Sequence, residues 1–202
     1  MNEYYYTPDP SCGHNEKLHE IEALGVKASV YTDSGVFSRD GLDYGTELLI
    51  KSLTDVKGDF LDLGCGWGAV GIVVAKAFPD SRVTMSDINS RAVEYAEKNC
   101  RVNNVANARV VRSDGLADVE GGFDTIAVNP PIRAGKQVVY SLFSQSYDRL
   151  RQHGRLYVVI RKQQGAESAQ KFLAELFGNA TRIYRDKGYW IILCEKGETN
   201  EG

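Results

Sequence analysis

From residue 59 onward, two hydrophobic rhythms take turns along the chain. The first is a set of short, nearly unbroken apolar runs: "DFLDLG", "RVTMSD", "ARVVRSD", "FDTIAVN" and "GRLYVVIRK". The second is a set of longer segments with apolar residues at helical spacing: "AVGIVVAKAF", "SRAVEYAEKNCRVN", "VVYSLFSQSYDRLRQ" and "AESAQKFLAELFG". Strands covered on both faces read as continuous apolar runs, whereas a 3.6-residue rhythm lays one helical stripe on a core. Strands alternating with helices predict a parallel sheet with helices on both faces. The closing segment "TRIYRDKGYWIILCEK" predicts a hairpin turning at Lys187-Gly188. The expected fold class is therefore α/β: a doubly wound, Rossmann-like sheet of seven strands, parallel except for an antiparallel terminal hairpin.

Before residue 59 the pattern differs. "HEIEAL" and "VKASVYTD" predict two short strands, a hairpin-like cap, after a polar, irregular arm over residues 1–17. "GVFSRDGLDYG" reads as a loop, and "TELLIKSL" as a helix with Thr46 as its cap. Ser90 is the expected cap of the helix that follows "RVTMSD". The domain reading is an arm with short cap strands over 1–40, the main domain over 41–197 and a frayed tail over 198–202.

Composition narrows this little: 43% hydrophobic and 25% charged residues are ordinary for a globular chain of 202 residues. The net charge of −3 excludes coating of nucleic acid by bulk charge, so an RNA partner would need a local basic patch. Cys12, Cys65, Cys100 and Cys194 form no CxxC pair, and His14, His19 and His153 show no metal spacing. No apolar run is long enough for a membrane helix and no signal design opens the chain, so no membrane partner and a reducing cytoplasm are expected.

The candidate chemistry lies at the ends of the predicted strands, where open α/β sheets bind ligands. The first strand runs into "DLGCGWGAVG", residues 62–71; the second ends at Asp87, the third at Asp114, the fourth at Asn129-Pro130-Pro131. Gly64, Gly66 and Gly68 give a turn free of Cβ atoms, so a ligand can approach the backbone and the helix N-terminal amides. Asp87 stands 23 positions after Gly64, where an acid can accept from both ribose hydroxyls. Asp114, between Ser113 and Gly115, suits the amino edge of an adenine. Together these describe an adenosine pocket. Gly66-x-Gly68-x-x-Gly71 also satisfies a dinucleotide fingerprint, which keeps NAD(P) as an alternative at this point.

The Asn-Pro-Pro element separates the two. An exocyclic amine conjugated to a ring has a delocalised lone pair. Two acceptors on its N–H groups, the Asn129 side-chain oxygen and the Pro130 carbonyl, would pyramidalise it and aim the lone pair at a methyl donor. Two prolines hold that backbone rigid and add no competing amide. Positioning of this kind is worth up to roughly 7–11 kcal/mol. Hydride transfer has no use for such an element.

"DLGCGWGAVG", "SDIN", "SDG" and "NPPI" resemble the motifs of class I S-adenosylmethionine-dependent methyltransferases. More narrowly, "YYYTPDP", "GVFSRDGLDYGTELLI", "NPPIRAGK" and "RKQQGAESAQKFLAELFG" resemble the small-domain methyltransferases related to the guanine-N2 methyltransferase of small-subunit ribosomal RNA. The resemblance implies S-adenosyl-L-methionine as cofactor and the N2 amine of a guanine in 16S rRNA as acceptor, with ribosomal RNA or the small subunit as partner. It implies that Asp62, Gly64, Cys65, Gly66 and Gly68 line the methionine and ribose, that Asp87 holds the ribose and Ile88 packs on the adenine. Asp114 and Gly115 then flank the adenine edge, and Phe37 and Thr46 close over the cofactor. Asn129, Pro130 and Pro131 form the catalytic element, Asn129 also bordering the cofactor, and Ile132, Arg133 and Lys136 meet the substrate.

Two departures from the family's pattern stand out. Two-domain members carry a second N-terminal copy of the fold, whereas residues 1–40 form only an arm here, so RNA docking falls to the arm or to a homodimer partner. Many Asn-Pro-Pro enzymes follow the prolines with an aromatic residue that stacks on the base; here the position is Ile132. Phe37, Tyr44 or the arm tyrosines Tyr4, Tyr5 and Tyr6 are the candidates to replace that ring. A protein glutamine or a small-molecule amine therefore stands as an alternative acceptor, and a catalytically silent RNA- or protein-binding module as an alternative class. Simpler roles are assigned to Trp67, packing against the helix after the glycine loop, and to Gly188-Tyr189-Trp190, hairpin core. Arg133, Lys136, Arg161 and Lys162 are candidate phosphate contacts.

Overall fold

The computed structural model describes residues 8–198. A two-stranded antiparallel sheet comes first, β1 (Lys17–Ala23) with β2 (Val26–Thr32), followed by α1 (Tyr44–Ser52). The main sheet has seven strands in the order β5-β4-β3-β6-β7-β9-β8. These are β3 (Asp59–Leu63), β4 (Arg82–Asp87), β5 (Ala108–Arg112), β6 (Phe123–Val128), β7 (Leu150–Arg161), β8 (Thr181–Asp186) and β9 (Tyr189–Glu195). Pairings are parallel from β5 through β7 and antiparallel at β7–β9 and β9–β8, as the alternation predicts. The connecting helices are α2 (Ala69–Ala77), α3 (Ser90–Val102), α4 (Lys136–Arg149) and α5 (Ala166–Phe177).

The unbroken apolar strands earn their character by burying both faces. Successive strand residues point to opposite sides. Phe60, Val83, Met85, Ala127, Tyr157, Val159 and Ile191 join the core under α1, α2 and α3. Their neighbours Leu61, Leu63, Ile126, Val128, Leu156, Val158, Ile160 and Ile192 join the core under α4 and α5. The β1–β2 cap shares the first core through Ile21, Ala23, Ala28 and Val30. Helix α3 holds the cap's second strand much as a sheet neighbour would. Asn99 accepts from Tyr31 N (2.7 Å) and donates to Tyr31 O (2.9 Å), and Asn103 does the same at Ser29 (3.1 and 2.7 Å).

Three local expectations change. Asp43, not Thr46, caps α1: its carboxylate accepts from the N–H groups of Gly45 and Thr46, which leaves Thr46 inside the helix. Asn89, not Ser90, caps α3, accepting from Arg91 N and Ala92 N. The helical rhythm of "SYDRLRQ" stops at Arg149, because Leu150 pairs with Phe123 and β7 begins there. Arg and Gln favour helices, but the sheet partner and left-handed His153 (φ 61°) decide the outcome.

The order of the strands places the site. The chain runs outward from β3 through β4 to β5, then returns to lay β6 on the other side of β3. Leu63 and Val128 are register partners at the carboxyl ends of these two strands. Gly64 and Asn129, the next residues, therefore leave adjacent strands side by side at the switch point.

Candidate active site

A cleft of about 710 Å³ opens over the switch point, and most of the predicted site residues line it. On the β3–β5 side stand Asp62, Gly64, Cys65, Gly66, Asp87, Ile88, Asp114 and Gly115; on the β6 side stand Asn129, Pro130, Pro131, Ile132 and Arg133. Phe37 and Thr46 close it from the loop and α1. Gly68 caps α2 with φ 92°, and Lys136 lies outside the lining, its Nζ 5.0 Å from the Tyr140 ring. Lys162 is also outside, 3.6 Å from Glu167, whereas Arg161 lines the cleft. Tyr4, Tyr5 and Tyr6 lie outside the described residues.

The glycine loop is tied to β4 rather than open to an anion. Gly64 N and Cys65 N both donate to Ser86 O (2.8 and 2.9 Å), Gly68 N to Cys65 O (2.9 Å), and Gly66 N to Asp87 Oδ2 (2.8 Å). The amides at these four positions are thus consumed inside the protein. What the loop offers instead is room. A Cβ built on Gly64 would meet no atom within 4 Å, and φ is 72° there, so the backbone itself forms the cleft wall. Gly71 serves packing: a Cβ there would come within 2.3 Å of the Met85 Cγ, so the glycine lets α2 sit down on β4.

Two carboxylates lie under this loop without a cation among the described residues. Asp62 is 3% exposed and accepts from Gly71 N at 2.9 Å. Burial pushes its pKa up to about 7, against the pull of that amide, and the nearby Asp87 carboxylate adds repulsion. Asp87 is half-buried and also raised by burial, although Asn89 N (3.0 Å) and Gly66 N hold its two oxygens. A carboxylate has about four acceptor sites, so Asp87 retains capacity for hydroxyl donors in the cleft. Burial also pushes the Cys65 thiol well above its usual range, which makes it a poor nucleophile.

The side chain of Asn129 is anchored from behind. Its Nδ2 donates to Thr46 Oγ1 at 3.0 Å, and Thr46 Oγ1 in turn donates to Asp43 Oδ2. After Pro131 the chain makes a short 3-10 turn, Ile132–Ala134, with Ala134 N donating to Pro131 O at 2.9 Å. Pro130 is buried and fixed from both sides, so its carbonyl is held where the turn sets it.

Sequence reasoning missed Asp43, Gln164 and Tyr189, which line the same cleft. Tyr189 pairs with Arg161 across β7 and β9, and the Arg161 guanidinium lies 4.5 Å from the ring centroid. The ring rests on the α1 N-terminus: a Cβ on Gly45 would come within 2.7 Å of it. Reading Tyr189 as hairpin core was half right, because its strand neighbour Trp190 is buried while Tyr189 faces the cleft. Tyr44, a candidate stacking ring, is instead engaged with the hairpin, its hydroxyl donating to Asp186 and its ring 5.7 Å from Tyr189. Trp67 is buried, with Nε1 donating to Ser38 O (3.3 Å), and so supports the loop that carries Phe37. No helix among the described residues is long and apolar enough to cross a membrane.

Comparison with known proteins agrees with this geometry. A Bacillus subtilis protein described only as uncharacterized, YbxB, is 40% identical over 200 residues, covering 97% of this chain and 100% of its own. The ribosomal RNA small subunit methyltransferase C of Haemophilus influenzae is 40% identical over 136 residues, which are 65% of this chain but only 41% of that enzyme. The solved structure of the Thermus thermophilus 16S rRNA N2 G1207 methyltransferase, in complex with AdoMet and guanosine, superposes with a TM-score of 0.81 at 24% identity. That match covers 93% of this chain and 52% of the other, and at this identity it speaks for the fold. The family model for the methyltransferase small domain matches residues 27–193, from the second strand of the cap to the last strand of the sheet, and the chain belongs to that family.

Proposed function

We propose that this methyltransferase, whose methyl donor is S-adenosylmethionine, modifies the exocyclic N2 amine of a guanine in small-subunit ribosomal RNA. The observation that carries the reading is the Asn129–Pro130 pair, set one residue beyond the strand end that adjoins the glycine loop. The residues present fit an adenosine ligand: an open glycine wall, the Asp87 carboxylate with acceptor capacity to spare, the apolar Ile88, and Asp114 with Gly115 at the far edge. They suit a pyrophosphate less well, because the amides of Gly64, Cys65, Gly66 and Gly68 are taken and the Asp87 carboxylate stands beside them. The NAD(P) alternative therefore loses part of the amide cradle on which its fingerprint rests. When bound, S-adenosylmethionine supplies a methyl group activated by a sulfonium.

The chain's own residues supply position. Asn129 Oδ1 and Pro130 O accept the two N–H bonds of the amine and direct its lone pair across the switch point. No strong base is required, since the amine proton becomes acidic only as the nitrogen gains its methyl. The base itself must be unstacked or flipped to reach the cleft. Tyr189, with Arg161 on its ring, is the aromatic wall that Ile132 does not provide, and Arg133 and Arg161 give the mouth positive charge. The relatives named for rRNA methylation are matched over only 41% and 52% of their length, so their target comes to this chain as part of the proposal.

The test is mass mapping of modified nucleotides in 16S rRNA from cells with and without the gene, alongside transfer of labelled methyl by the purified chain. A single N2-methylguanine that disappears with the gene is the expected result. Label found in the protein fraction and not in rRNA would transfer the reading to a glutamine-type amide, whose planar nitrogen suits the same clamp.

A further inference from the structure

We propose that Asp43 and Thr46 are positioning residues that decide which atom of Asn129 the acceptor meets. The proposal rests on the clamp reading above and deepens it. An asparagine amide has two nearly isosteric ends of opposite chemistry, NH2 and oxygen. Only the oxygen can accept from an amine; with the amide turned over, two donors would face each other and the clamp would repel its substrate. Something must therefore fix the orientation.

The hydrogen-bond inventory fixes it uniquely. Asp43 is acceptor-only as a carboxylate, and its Oδ1 is committed to the α1 amides of Gly45 (3.0 Å) and Thr46 (3.2 Å). Its Oδ2 takes the Thr46 hydroxyl proton. That hydroxyl has one proton, so Thr46 Oγ1 can only accept from its other neighbour, Asn129, 3.0 Å away. Asn129 must then turn its NH2 inward, and its oxygen faces the cleft. Thr46 is 7% exposed, so water competes little for these bonds. The cap of α1 and the acceptor clamp are one device: the same carboxylate starts a helix and, through one hydroxyl, polarises the site. This assigns Thr46 a role other than the cofactor contact expected from the sequence.

Three variants separate the roles. T46V removes the acceptor for Asn129 and keeps the shape; T46S restores it. D43N keeps an oxygen for the helix amides but sets an NH2 against the Thr46 hydroxyl. The hydroxyl must then accept there and donate toward Asn129, which favours the inverted amide. T46V and D43N are expected to lower kcat by on the order of 100-fold, with calorimetric affinity for S-adenosylhomocysteine unchanged; T46V also lowers the melting temperature, since Asp43 Oδ2 and the Asn129 NH2 lose their partner, and T46S recovers most of the rate. A second readout needs no acceptor: the Asn129 side-chain NH2 resonances, identified by their absence from N129A, should move in T46V and D43N and stay in T46S. Wild-type kcat in T46V and D43N, loss of S-adenosylhomocysteine affinity with kcat intact, or unmoved NH2 resonances would each overturn the proposal. A wild-type chain inactive on rRNA sinks the acceptor reading instead, and the resonances still decide the relay.

Discussion

The two ends of one sheet use the same residue type for opposite purposes. At the amino end of β3 and β6, Asp59 and Asp124 are met by arginines. Arg82 donates to both oxygens of Asp59 (2.7 and 2.8 Å), and Arg151 bridges Asp59 and Asp124 (2.6 Å each). Hydrogen bonds from Arg82 chiefly, and then Arg151, hold the Asp59 pKa down to about 2 despite its burial. At the carboxyl end of β3 and β4, Asp62 and Asp87 have backbone amides and no cation among the described residues, and burial raises both. Holding an acid in a low-dielectric setting without a cation costs stability, and such groups concentrate at functional sites. The difference sets the cleft end of the sheet apart from the opposite end.

Four outcomes would sharpen or break that contrast. The largest belongs to the clamp beside the unpaired acids: Asn129→Ala should lower kcat by on the order of 1000-fold or about 4 kcal/mol, while calorimetric cofactor affinity stays. Normal transfer by that variant would end the clamp mechanism. Next, Asp87→Ala should weaken S-adenosylhomocysteine binding by about 2–3 kcal/mol, the scale of hydrogen bonds to a charged group. Unchanged affinity would remove Asp87 from the cofactor site.

Third, Asp62→Asn should raise stability at pH 8 by about 2 kcal/mol in urea unfolding, and by little at pH 4. The sign follows from a raised folded pKa: between about 4 and about 7 the native state holds the Asp62 proton that the unfolded chain has lost. This group therefore makes the wild type lose stability as pH rises through that window. A variant with the wild-type pH profile would contradict the buried, unpaired assignment. The smallest effect sits at the opposite end, where Asp59→Asn should cost about 1 kcal/mol at neutral pH, because both arginines are largely solvated. Asp59 has a lowered pKa, so its contribution is present above the ordinary carboxylate range and fades as pH falls toward 2. Transfer activity should not change; a lost activity would mean the two ends are coupled.

Much of this was legible along the chain because it is written in local patterns. Apolar runs long enough to bury both faces of a strand, a glycine turn, and two prolines that stop a ladder each constrain nearby backbone directly. The cleft residues Gly64, Asp87 and Asn129 were found that way. Asn89 and Ser90 were not distinguishable, because both are good caps one position apart. Asp43 was hidden because the helix begins one turn earlier than the apolar spacing of Leu48, Leu49 and Leu53 suggests. Tyr189 was hidden more deeply. Only the antiparallel return of β9 beside β7 brings it opposite Arg161, 28 positions away in the chain.

By itself, then, the sequence determined the order of strands and helices, the switch-point residues and the Asn-Pro-Pro element that the proposed clamp uses. These depend on which backbone conformations and faces each short segment can adopt. The tertiary structure alone decided that the amides of Gly64, Cys65 and Gly66 are spent on Ser86 and Asp87, that Thr46 stands behind Asn129, and that Tyr189 lines the cleft. Each of those is a pairing between segments distant in the chain. A donor's partner, unlike its residue type, is set by where the fold puts the nearest acceptor.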